Sequence, residues 1–277
     1  MVKPNIFLVS KNNHLPTLSR FQEEAQALGL SAQIITVEQL SQLDFSEHDF
    51  IINRVTGITY DDEDLVRLRE IQKRTKTTIC NTPNATLSFR DKSKQYNFLL
   101  NQGVNTPQTL GLWEFNFNNP QLNPPYIIKP LRGNKGIGVE YFETLAELKN
   151  FHMEKLAIED LRYIVQPYIQ KQSELRLFMI NGELIGALEK DVQDKVCNAS
   201  RVECRFIERS NLDEKLIAIS IAITKASELF YTGIDVMVFN EQYIFLEMNT
   251  SPGFMEFEKY SGINIAKKIL KNLTRDD

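Results

Sequence analysis

The chain has 277 residues, 42% of them hydrophobic and 25% charged, which is the composition of an ordinary globular protein with a substantial core. Its formal net charge of −4 excludes a global basic field for DNA, and no apolar run approaches the roughly 18 residues of a membrane span, so we expect a cytoplasmic protein. Three cysteines without a CxxC pair and three scattered histidines argue against a disulfide framework and against zinc.

The first part of the chain alternates short apolar runs with helical spacing. We expect strands at residues 5–10, 33–36, 50–53 and 77–80. Helical spacing follows the first strand until Gly29, and a second helix covers residues 61–74. Strands that alternate with helices predict a small parallel α/β sheet, and we assign residues 1–89 to it. Its one substrate-side candidate is Arg54, for which a structural role is the more typical interpretation.

A central region, residues 90–168, follows a predicted domain boundary and begins with a helix at Arg90, Asp91 and Lys92. Asp91 suits the positive end of the helix dipole, whereas the two basic residues do not. A basic pair at such a place is more typical of a solvated face than of a binding site.

A strand at residues 126–129 runs into a glycine-rich loop, residues 133–138. Three glycines free the backbone N–H groups to wrap an anion, and Lys129 places a cation at the root of the loop. The loop matches neither of the common glycine-rich nucleotide signatures. Alone it is more typical of a flexible hairpin turn, but together with the acidic residues described below it predicts a phosphate-binding lid.

The strand at residues 162–169 contains Pro167, which cannot donate a ladder hydrogen bond. We therefore expect an edge strand or the turning point between two lobes. Exposed backbone beside apolar side chains at this place would suit an adenine ring.

A hairpin at residues 174–190 turns at the Asn-Gly pair 181–182, which is a strong turn signal. A regular register places Glu174 opposite Glu189, with Arg176 on the same face. These charges indicate either a binding site or a surface ion-pair network, and the two interpretations are about equally favoured.

The last region, residues 169–277, continues with a polar loop at 191–205 and a helix at 212–230. A final helix covers about residues 265–270 and ends in basic residues, as the negative end of a helix dipole favours. We find no internal repeat in the sequence.

Between these two helices, residues 233–253 predict a hairpin that is apolar on both sides. With a turn centred on Glu241, Asp235 lies opposite Glu247, and Asn249 shares the face of Glu247. We expect the acid face also to carry Met237, Phe239, Tyr243 and Phe245. A strand carboxylate usually lies on the wet side of a sheet, but a hairpin apolar on both faces is expected to be covered on both.

Two opposed carboxylates under such cover are unfavourable unless a proton or a cation lies between them. Oxygen ligands without His or Cys nearby suit Mg²⁺ or Mn²⁺, which completes its shell with water and substrate phosphates. The residues therefore predict a metal–nucleotide site at Asp235, Glu247 and Asn249.

Several short motifs follow one another along the second and third regions. They are Arg90-Asp91-Lys92, Ile128-Lys129 with Gly136-Ile137-Gly138-Val139, Gln166-Pro167-Tyr168-Ile169, Glu174-Leu175-Arg176, Gly233-Ile234-Asp235, and Glu247-Met248-Asn249-Thr250-Ser251-Pro252-Gly253. In their order and spacing, over about residues 81–270, the sequence resembles the RimK-type ATP-grasp ligases, the family of the ribosomal-protein glutamate ligase. None of the motifs is decisive alone.

The resemblance implies an α/β (α+β) protein with the ATP-grasp fold. Residues 1–89 would form an N-terminal parallel α/β domain, residues 90–168 a central lobe with the glycine-rich lid, and residues 169–277 a C-terminal lobe with the metal site. ATP would lie between the two lobes, with two Mg²⁺ or Mn²⁺ ions.

The resemblance also implies roles for individual residues. The implied ATP-binding residues are Lys92, Lys129, Gly133, Lys135, Gly136, Ile137, Gln166, Pro167, Tyr168, Glu174 and Asn198. Among them, Lys92 and Lys129 would contact phosphates and Glu174 the ribose. Asp235, Glu247 and Asn249 match the family's metal ligands, in agreement with the register argument. Arg176 and Lys129 would act on the reacting groups.

Two departures from the family pattern bear on the substrates. Pro167 stands where the family carries an acid in the adenine hinge. Where the family reads Arg-Ser-Asn and later Arg-Gly-Gly, this chain has Val196-Cys197-Asn198 and Arg201-Val202-Glu203. Asn198 and Arg201 remain as implied substrate-binding residues, while the lost arginine and glycines leave the amino-acid substrate open.

The resulting hypothesis is a carboxylate–amine ligase that adds an amino acid, glutamate-like, to a peptide C-terminus or a small-molecule carboxylate through an acyl phosphate. One alternative is an ATP-grasp ligase for a carrier protein, a modified peptide or a glutathione-like metabolite. Another is a nucleotide-binding scaffold without activity, against which the complete set of Lys92, Lys129, Arg176 and metal ligands argues. We expect neither DNA nor a membrane as a partner, and the oligomeric state, a homo-oligomer included, stays open.

Overall fold

The computed structural model describes residues 4–55, 60–133, 136–158, 160, 162–190 and 204–274. Three of the candidate site residues, Lys135, Asn198 and Arg201, lie outside the described residues. Within the described ranges, helices and strands alternate in an α/β (α+β) arrangement, so the predicted fold class is confirmed.

The N-terminal sheet is parallel throughout, as predicted, in the order β2-β1-β3-β4. Its strands are β1 (Asn5–Val9), β2 (Ser31–Ile35), β3 (Phe50–Asn53) and β4 (Thr78–Cys80). The helices of this part are α1 (Pro16–Ala27), α2 (Asp62–Thr75) and α3 (Pro83–Phe89). Helix α3 was not predicted, because its seven residues give too short a run for helical spacing to show. Thr82 caps it by accepting from the backbone N–H of Ala85.

The central sheet is antiparallel in the order β5-β8-β6-β7. Its strands are β5 (Leu110–Gly111), β6 (Tyr126–Pro130), β7 (Glu140–Phe142) and β8 (Tyr163–Pro167). Helix α5 (Leu145–Ala157) packs on this sheet, whereas α4 (Lys92–Asn101) packs against the C-terminal sheet described next. Strand β8 lies inside the sheet, so the edge-strand alternative is wrong. Pro167 is its last residue, and the chain then passes to the next sheet, which fits the turning-point alternative.

The C-terminal sheet is antiparallel in the order β11-β10-β9-β12-β13. Its strands are β9 (Ser173–Ile180), β10 (Glu183–Lys190), β11 (Cys204–Glu208), β12 (Tyr231–Phe239) and β13 (Gln242–Asn249). The helices are α6 (Glu214–Ser227), α7 (Met255–Ser261) and α8 (Ile265–Leu273). Strand β11 and helix α7 were missed, since they have only five and seven residues and give too short a periodic pattern.

The two faces of the C-terminal sheet have different neighbours. One face, including Leu177 and Val236, packs on α6. The other face carries Phe178 into a core that also contains α1, α7 and α8, so the N-terminal sheet and the C-terminal lobe share apolar contacts. Beyond this shared core, the same face of the sheet opens into a cleft opposite β6 and β8.

Among the helices that the structure describes, none combines the length and the apolar character that crossing a bilayer requires.

The shared core generates a stability prediction. The ring of Phe254 meets that of Phe21 edge-on with centroids 5.1 Å apart, and both side chains are fully buried. Phe254→Ala should lower the free energy of unfolding by about 3–5 kcal/mol, because it leaves a cavity between the two parts of the chain. Urea denaturation measures this loss, and Leu100→Ala, on an exposed site, should change it by less than about 0.5 kcal/mol. Equal losses in the two variants would contradict the shared core.

Candidate active site

The hairpin of β12 and β13 places the predicted acidic patch. Asp235 pairs with Glu247, and Gly233 pairs with Asn249, so the predicted opposition of the two carboxylates is confirmed. The turn itself has two residues, Asn240 and Glu241, rather than three. Both have positive φ angles, 47° and 60°, as two-residue hairpin turns with this twist require.

A β-bulge reconciles the short turn with the predicted pair. Asp235 faces Glu247, whereas the next residue, Val236, faces Phe245, so Leu246 is the extra residue. The predicted acid face is therefore wrong nearer the turn. Tyr243 and Phe245 pack in the core on the far side of the sheet with Val236, while Leu246 lines the cleft beside the acids.

Asp235 is held by Arg176 of the neighbouring strand β9. The two residues are register partners, and Nε and Nη2 of Arg176 donate to the two carboxylate oxygens at 2.6 Å each. Burial alone would raise the pKa of Asp235, but the guanidinium outweighs it and lowers this pKa to about 2. Asp235 is therefore a carboxylate anion at every physiological pH.

The third member of the patch, Asn249, lies close to both acids. Its Nδ2 donates to Oδ2 of Asp235 at 3.3 Å and to Oε1 of Glu247 at 3.4 Å. Exchanging the amide oxygen and nitrogen by a half-turn would point three oxygens at one place, separated by about the spacing of neighbouring ligands around Mg²⁺. The donor set thus fits a hard divalent cation. Among the described residues, no group of three or more His, Cys, Asp or Glu residues offers an alternative metal site.

Two lysines face this patch from the central lobe. Lys129, on β6, lies in the cleft, and within the described part of the chain its ammonium has no hydrogen-bond or ion-pair partner. Burial lowers the pKa of Lys129, an effect that Glu247 opposes and Lys92 reinforces. Lys92, at the first position of α4, donates from Nζ to the carbonyl of Gly133 at 3.0 Å.

The described part of the glycine-rich loop forms one wall of the cleft. Gly136 and Gly138 have φ angles of 70° and 73°, a conformation that side chains disfavour. A Cβ atom at Gly138 would also lie 2.8 Å from Cγ of Pro130. The glycines are therefore required by the backbone path as well as by access to the cleft.

Glu174 does not face Glu189, so the predicted pairing in this hairpin is wrong. A second bulge, between Leu184 and Gly186, shifts the register so that Glu174 pairs with Lys190. Nζ of Lys190 lies 2.7 Å from Oε1 of Glu174, and Lys171 binds the other carboxylate oxygen. Burial raises the pKa of Glu174, but Lys190 and Lys171 lower it overall. Glu189 instead pairs with Arg205 at 2.6 Å.

The hinge between the lobes is more constrained than the sequence suggested. The backbone N–H of Tyr168 donates to the carbonyl of Pro125 at 2.8 Å, so this donor is already used. The side chain of Gln166 is buried and donates to Thr109 at 2.8 Å. The Tyr168 ring meets Tyr141 edge-on with centroids 5.1 Å apart. Both Gln166 and Tyr168 still line the cleft.

All the described residues proposed to bind ATP line this one cleft, together with Arg176, Asp235 and Glu247. The sequence reasoning missed Lys171, Lys190 and Leu246, which line it as well, whereas Met237 lines it on the predicted acid face. Strand alternation could have indicated Lys190, but only if the bulge had been known. The described lining contains five basic and three acidic side chains, so the cleft is locally positive in a chain whose net charge is negative.

A smaller pocket adjoins the cleft and shares Lys92, Gly133 and Glu247 with it. It contains Asn249 and also Arg90, whose side chain is only 7% exposed. The solvated-face interpretation of the basic pair is therefore wrong.

Two arginines make contacts between the N-terminal part of the chain and residues far along the sequence. Arg90 donates to Asp62 at 3.0 Å and to the carbonyl of Tyr60 at 2.7 Å. Arg54 is buried and donates to the carbonyl of Pro252 at 2.9 Å. This contact is of the structural kind favoured for Arg54 by the sequence.

The chain is similar to known ATP-grasp proteins. A family model for the RimK-like ATP-grasp domain matches residues 89–273. The probable alpha-L-glutamate ligase of Haemophilus influenzae is 30% identical over 201 residues, which are 70% of this chain and 66% of that protein. The ribosomal protein bS6–L-glutamate ligase of Escherichia coli is 28% identical over 195 residues, 67% of this chain and 64% of that one. The matched part thus spans just under two thirds of each of these two relatives.

Solved structures share the whole architecture. A D-alanine–D-alanine ligase from Bacillus anthracis complexed with ATP has a TM-score of 0.73 at 18% identity, and covers 98% of this chain and 95% of its own. The ATP-grasp ligase PsnB, complexed with a phosphomimetic variant of its minimal precursor, Mg and ADP, has a TM-score of 0.72 at 17% identity, covering 99% and 98%. The predicted ATP-grasp fold is confirmed by these likenesses.

The ion pair of Glu174 with Lys190 predicts a pH dependence. Glu174→Gln should lower the free energy of unfolding by about 3 kcal/mol at pH 7, because it leaves Lys190 buried without its counter-charge. Since the pKa of Glu174 is lowered on folding, this advantage of the wild type is fully present above about pH 4.5 and is lost as the pH falls below it. Urea denaturation from pH 7 to 3.5 measures the gap.

The matched control is Glu189→Gln, which removes a carboxylate whose arginine partner is 75% exposed and should change stability by less than about 1 kcal/mol. A gap between wild type and Glu174→Gln that stays constant down to pH 3.5 would contradict the assignment.

Proposed function

Because the chain belongs to the RimK-like ATP-grasp family, we propose that it is an ATP-dependent ligase that joins a carboxylate to an amine through an acyl phosphate. The observation that carries this proposal is the ammonium of Lys129, which has no hydrogen-bond or ion-pair partner among the described residues and lies in a cleft that also holds Asp235 and Glu247. A partly buried ammonium that no described carboxylate binds directly favours an anionic ligand, and the excess of basic over acidic side chains in the cleft suits a triphosphate.

We propose that the chain has three domains, residues 1–89, 90–168 and 169–277, with ATP between the last two. Lys92 and Lys129 bind its phosphates, and Glu174 accepts from the ribose hydroxyls. The adenine ring lies against the hinge at Pro167 and Tyr168. Since the N–H of Tyr168 already donates to Pro125, adenine recognition here depends on other backbone groups of the hinge.

ATP-grasp ligases bind ATP with magnesium, and we propose two ions here, Mg²⁺ or Mn²⁺. Asp235, Glu247 and Asn249 would hold them. When bound, the ions supply positive charge to the phosphate oxygens as the phosphoryl group transfers.

The reaction has two steps. A carboxylate oxygen of the acceptor attacks the γ-phosphorus, the bond to the bridging oxygen breaks, and ADP leaves. The amine nitrogen then attacks the acyl carbon, inorganic phosphate leaves with the electron pair of the C–O bond, and the amine loses a proton to solvent. Lys129 and Arg176 offset the charge that develops on the transferring group. Arg176 uses Nε and Nη2 on Asp235, which leaves Nη1 for this purpose.

The substrates are proposed from the relatives. Two of these are named as glutamate ligases, one of them acting on a ribosomal protein, and PsnB is complexed with a precursor peptide. We propose an amino acid, glutamate or a similar one, as the amine donor and a peptide or small-molecule carboxylate as the acceptor. Asn198 and Arg201 would contact the substrate.

One experiment separates these substrates. Phosphate release from ATP is measured with a panel of amino acids, each tested with and without short acidic peptides, and the product masses are recorded. A mass gain of one amino acid residue with equimolar phosphate supports the ligase. Tight ATP binding without phosphate release for any pair would instead indicate a nucleotide-binding scaffold.

The metal assignment gives a direct prediction. Asp235→Ala and Glu247→Ala should each lower kcat by a factor on the order of 10³. Each variant removes a metal ligand, and without the metal ion the negative charge of the phosphates is no longer offset. Steady-state phosphate release at saturating Mg²⁺ and ATP measures this. Glu189→Gln is the control, since Glu189 is on the same sheet but does not line the cleft, and it should retain activity within about twofold. Full activity of Asp235→Ala would overturn the assignment.

A further inference from the structure

A buried asparagine from the N-terminal part of the chain contacts both strands of the metal-site hairpin at its open end. Asn81 follows β4 and is only 1% exposed. Its side chain lies at the beginning of β12 and just beyond the end of β13, the two strands that carry Asp235, Glu247 and Asn249.

The amide of Asn81 makes four hydrogen bonds to this place. Nδ2 donates to the carbonyls of Tyr231 and Thr250, each at 2.7 Å, and so bridges the two strands. Oδ1 accepts from the backbone N–H groups of Phe230 at 2.7 Å and Tyr231 at 3.2 Å. These bonds use both donors and both lone pairs of a side-chain amide. The side chain thereby connects the two strands beyond their last backbone pair, Gly233 with Asn249.

The backbone of Asn81 is itself held by a residue of the N-terminal sheet. Nδ2 of Asn53 donates to the backbone carbonyl of Asn81 at 3.1 Å and to Oγ1 of Thr86 at 3.2 Å, and all three residues are buried. On the hairpin side, Oγ1 of Thr232 donates to the carbonyl of Asn249 at 2.9 Å. Buried hydrogen bonds thus link the N-terminal sheet, through Asn53 and Asn81, to Tyr231 and Thr250, which are the sequence neighbours of Thr232 and Asn249.

Strand ends fray when nothing closes them, and Asn249 occupies the last paired position of β13. A ligand side chain has to be held within about 0.5 Å and 10–20° of its working geometry. Closure of this strand end is therefore a condition for a metal site that uses Asn249.

We propose that Asn81 is a positioning residue for the metal site, which closes the open end of the hairpin and so holds Asn249 beside Asp235 and Glu247. This inference rests on the proposed function, because it takes these three residues as the ligands. It assigns to the N-terminal domain a part in metal binding that is separate from substrate recognition.

A plain structural role makes a different prediction. If Asn81 served only to join the domains, its loss would lower the free energy of unfolding and leave the metal affinity of the folded protein unchanged. If it positions Asn249, the folded variant should bind the metal more weakly.

The test uses the full chain with Mn²⁺ and a non-hydrolysable ATP analogue. Asn81→Asp keeps the shape of the side chain but replaces the Nδ2 donor with an oxygen that faces the carbonyls of Tyr231 and Thr250. Asn81→Ala removes the side-chain amide without adding charge. Electron paramagnetic resonance of free Mn²⁺ gives the dissociation constant, which should rise about tenfold or more in both variants, as for supporting residues of other metal sites.

The matched control is Asp49→Ala. Asp49 is a buried polar residue that bonds Asn5 and Ser46, and it precedes β3, whereas Asn81 follows the parallel strand β4 at the opposite end of the sheet. It should lose stability but bind Mn²⁺ within about twofold of the wild type. Wild-type affinity in the folded Asn81 variants would overturn the proposal, and so would an equal loss in Asp49→Ala.

A measurement on the wild type requires no variant. Metal binding and closure of the strand end are reciprocal if they are coupled, so Mn²⁺ with the analogue should slow amide exchange at Phe230 and Tyr231, the two N–H groups that Asn81 accepts. Unchanged exchange at both, in protein shown to have bound Mn²⁺, would overturn the proposal. Absence of Mn²⁺ binding in the wild type would instead overturn the proposed function.

Discussion

Carboxylates that face one another away from water require positive charge beside them, and this constraint organises the cleft. Asp235 and Glu247 are register partners, and Arg176 neutralises Asp235. The ammonium of Lys129 interacts electrostatically with Glu247. The same rule operates one row further along the sheet, where two lysines hold Glu174. The cleft keeps an excess of positive charge after these pairings. A polyanion brought together with divalent cations is the kind of ligand that balances such an arrangement.

The sequence was sufficient for the class of fold, for most strands of the three sheets and for the opposition of Asp235 and Glu247. It failed wherever a bulge changes which residues share a face. Pairing residues at equal distances from the turn predicts that Glu174 faces Glu189. One additional residue on β10 shifts this register, so that Lys190 faces Glu174 instead. Three apolar residues in succession at positions 244–246 carry no mark of which one is the extra. The short β11 and α7 were missed because their periodicity covers too few residues.

The part of the chain that forms the N-terminal sheet shows where sequence motifs stop being informative. Its family resemblance is the weakest, yet Arg54, Asn81 and the shared core around Phe178 join it to the strands that carry the acids. Arg90 illustrates the reverse case, since a charged residue in a polar stretch is interpreted as solvated until its partner, Asp62, is known from the structure. Contacts between residues far apart in the chain leave no local pattern, so only the folded structure identifies them.

The bulge at Leu246 also bears on how the length of the hairpin tip is tolerated. In an uninterrupted ladder, removing one residue at the tip would shift the register of one strand and move its side chains to the opposite face. Here the extra residue lies between the tip and the pair of Asp235 and Glu247, so a one-residue deletion at the tip can be offset by loss of the bulge. The two acids would then remain opposite each other in a shorter ribbon.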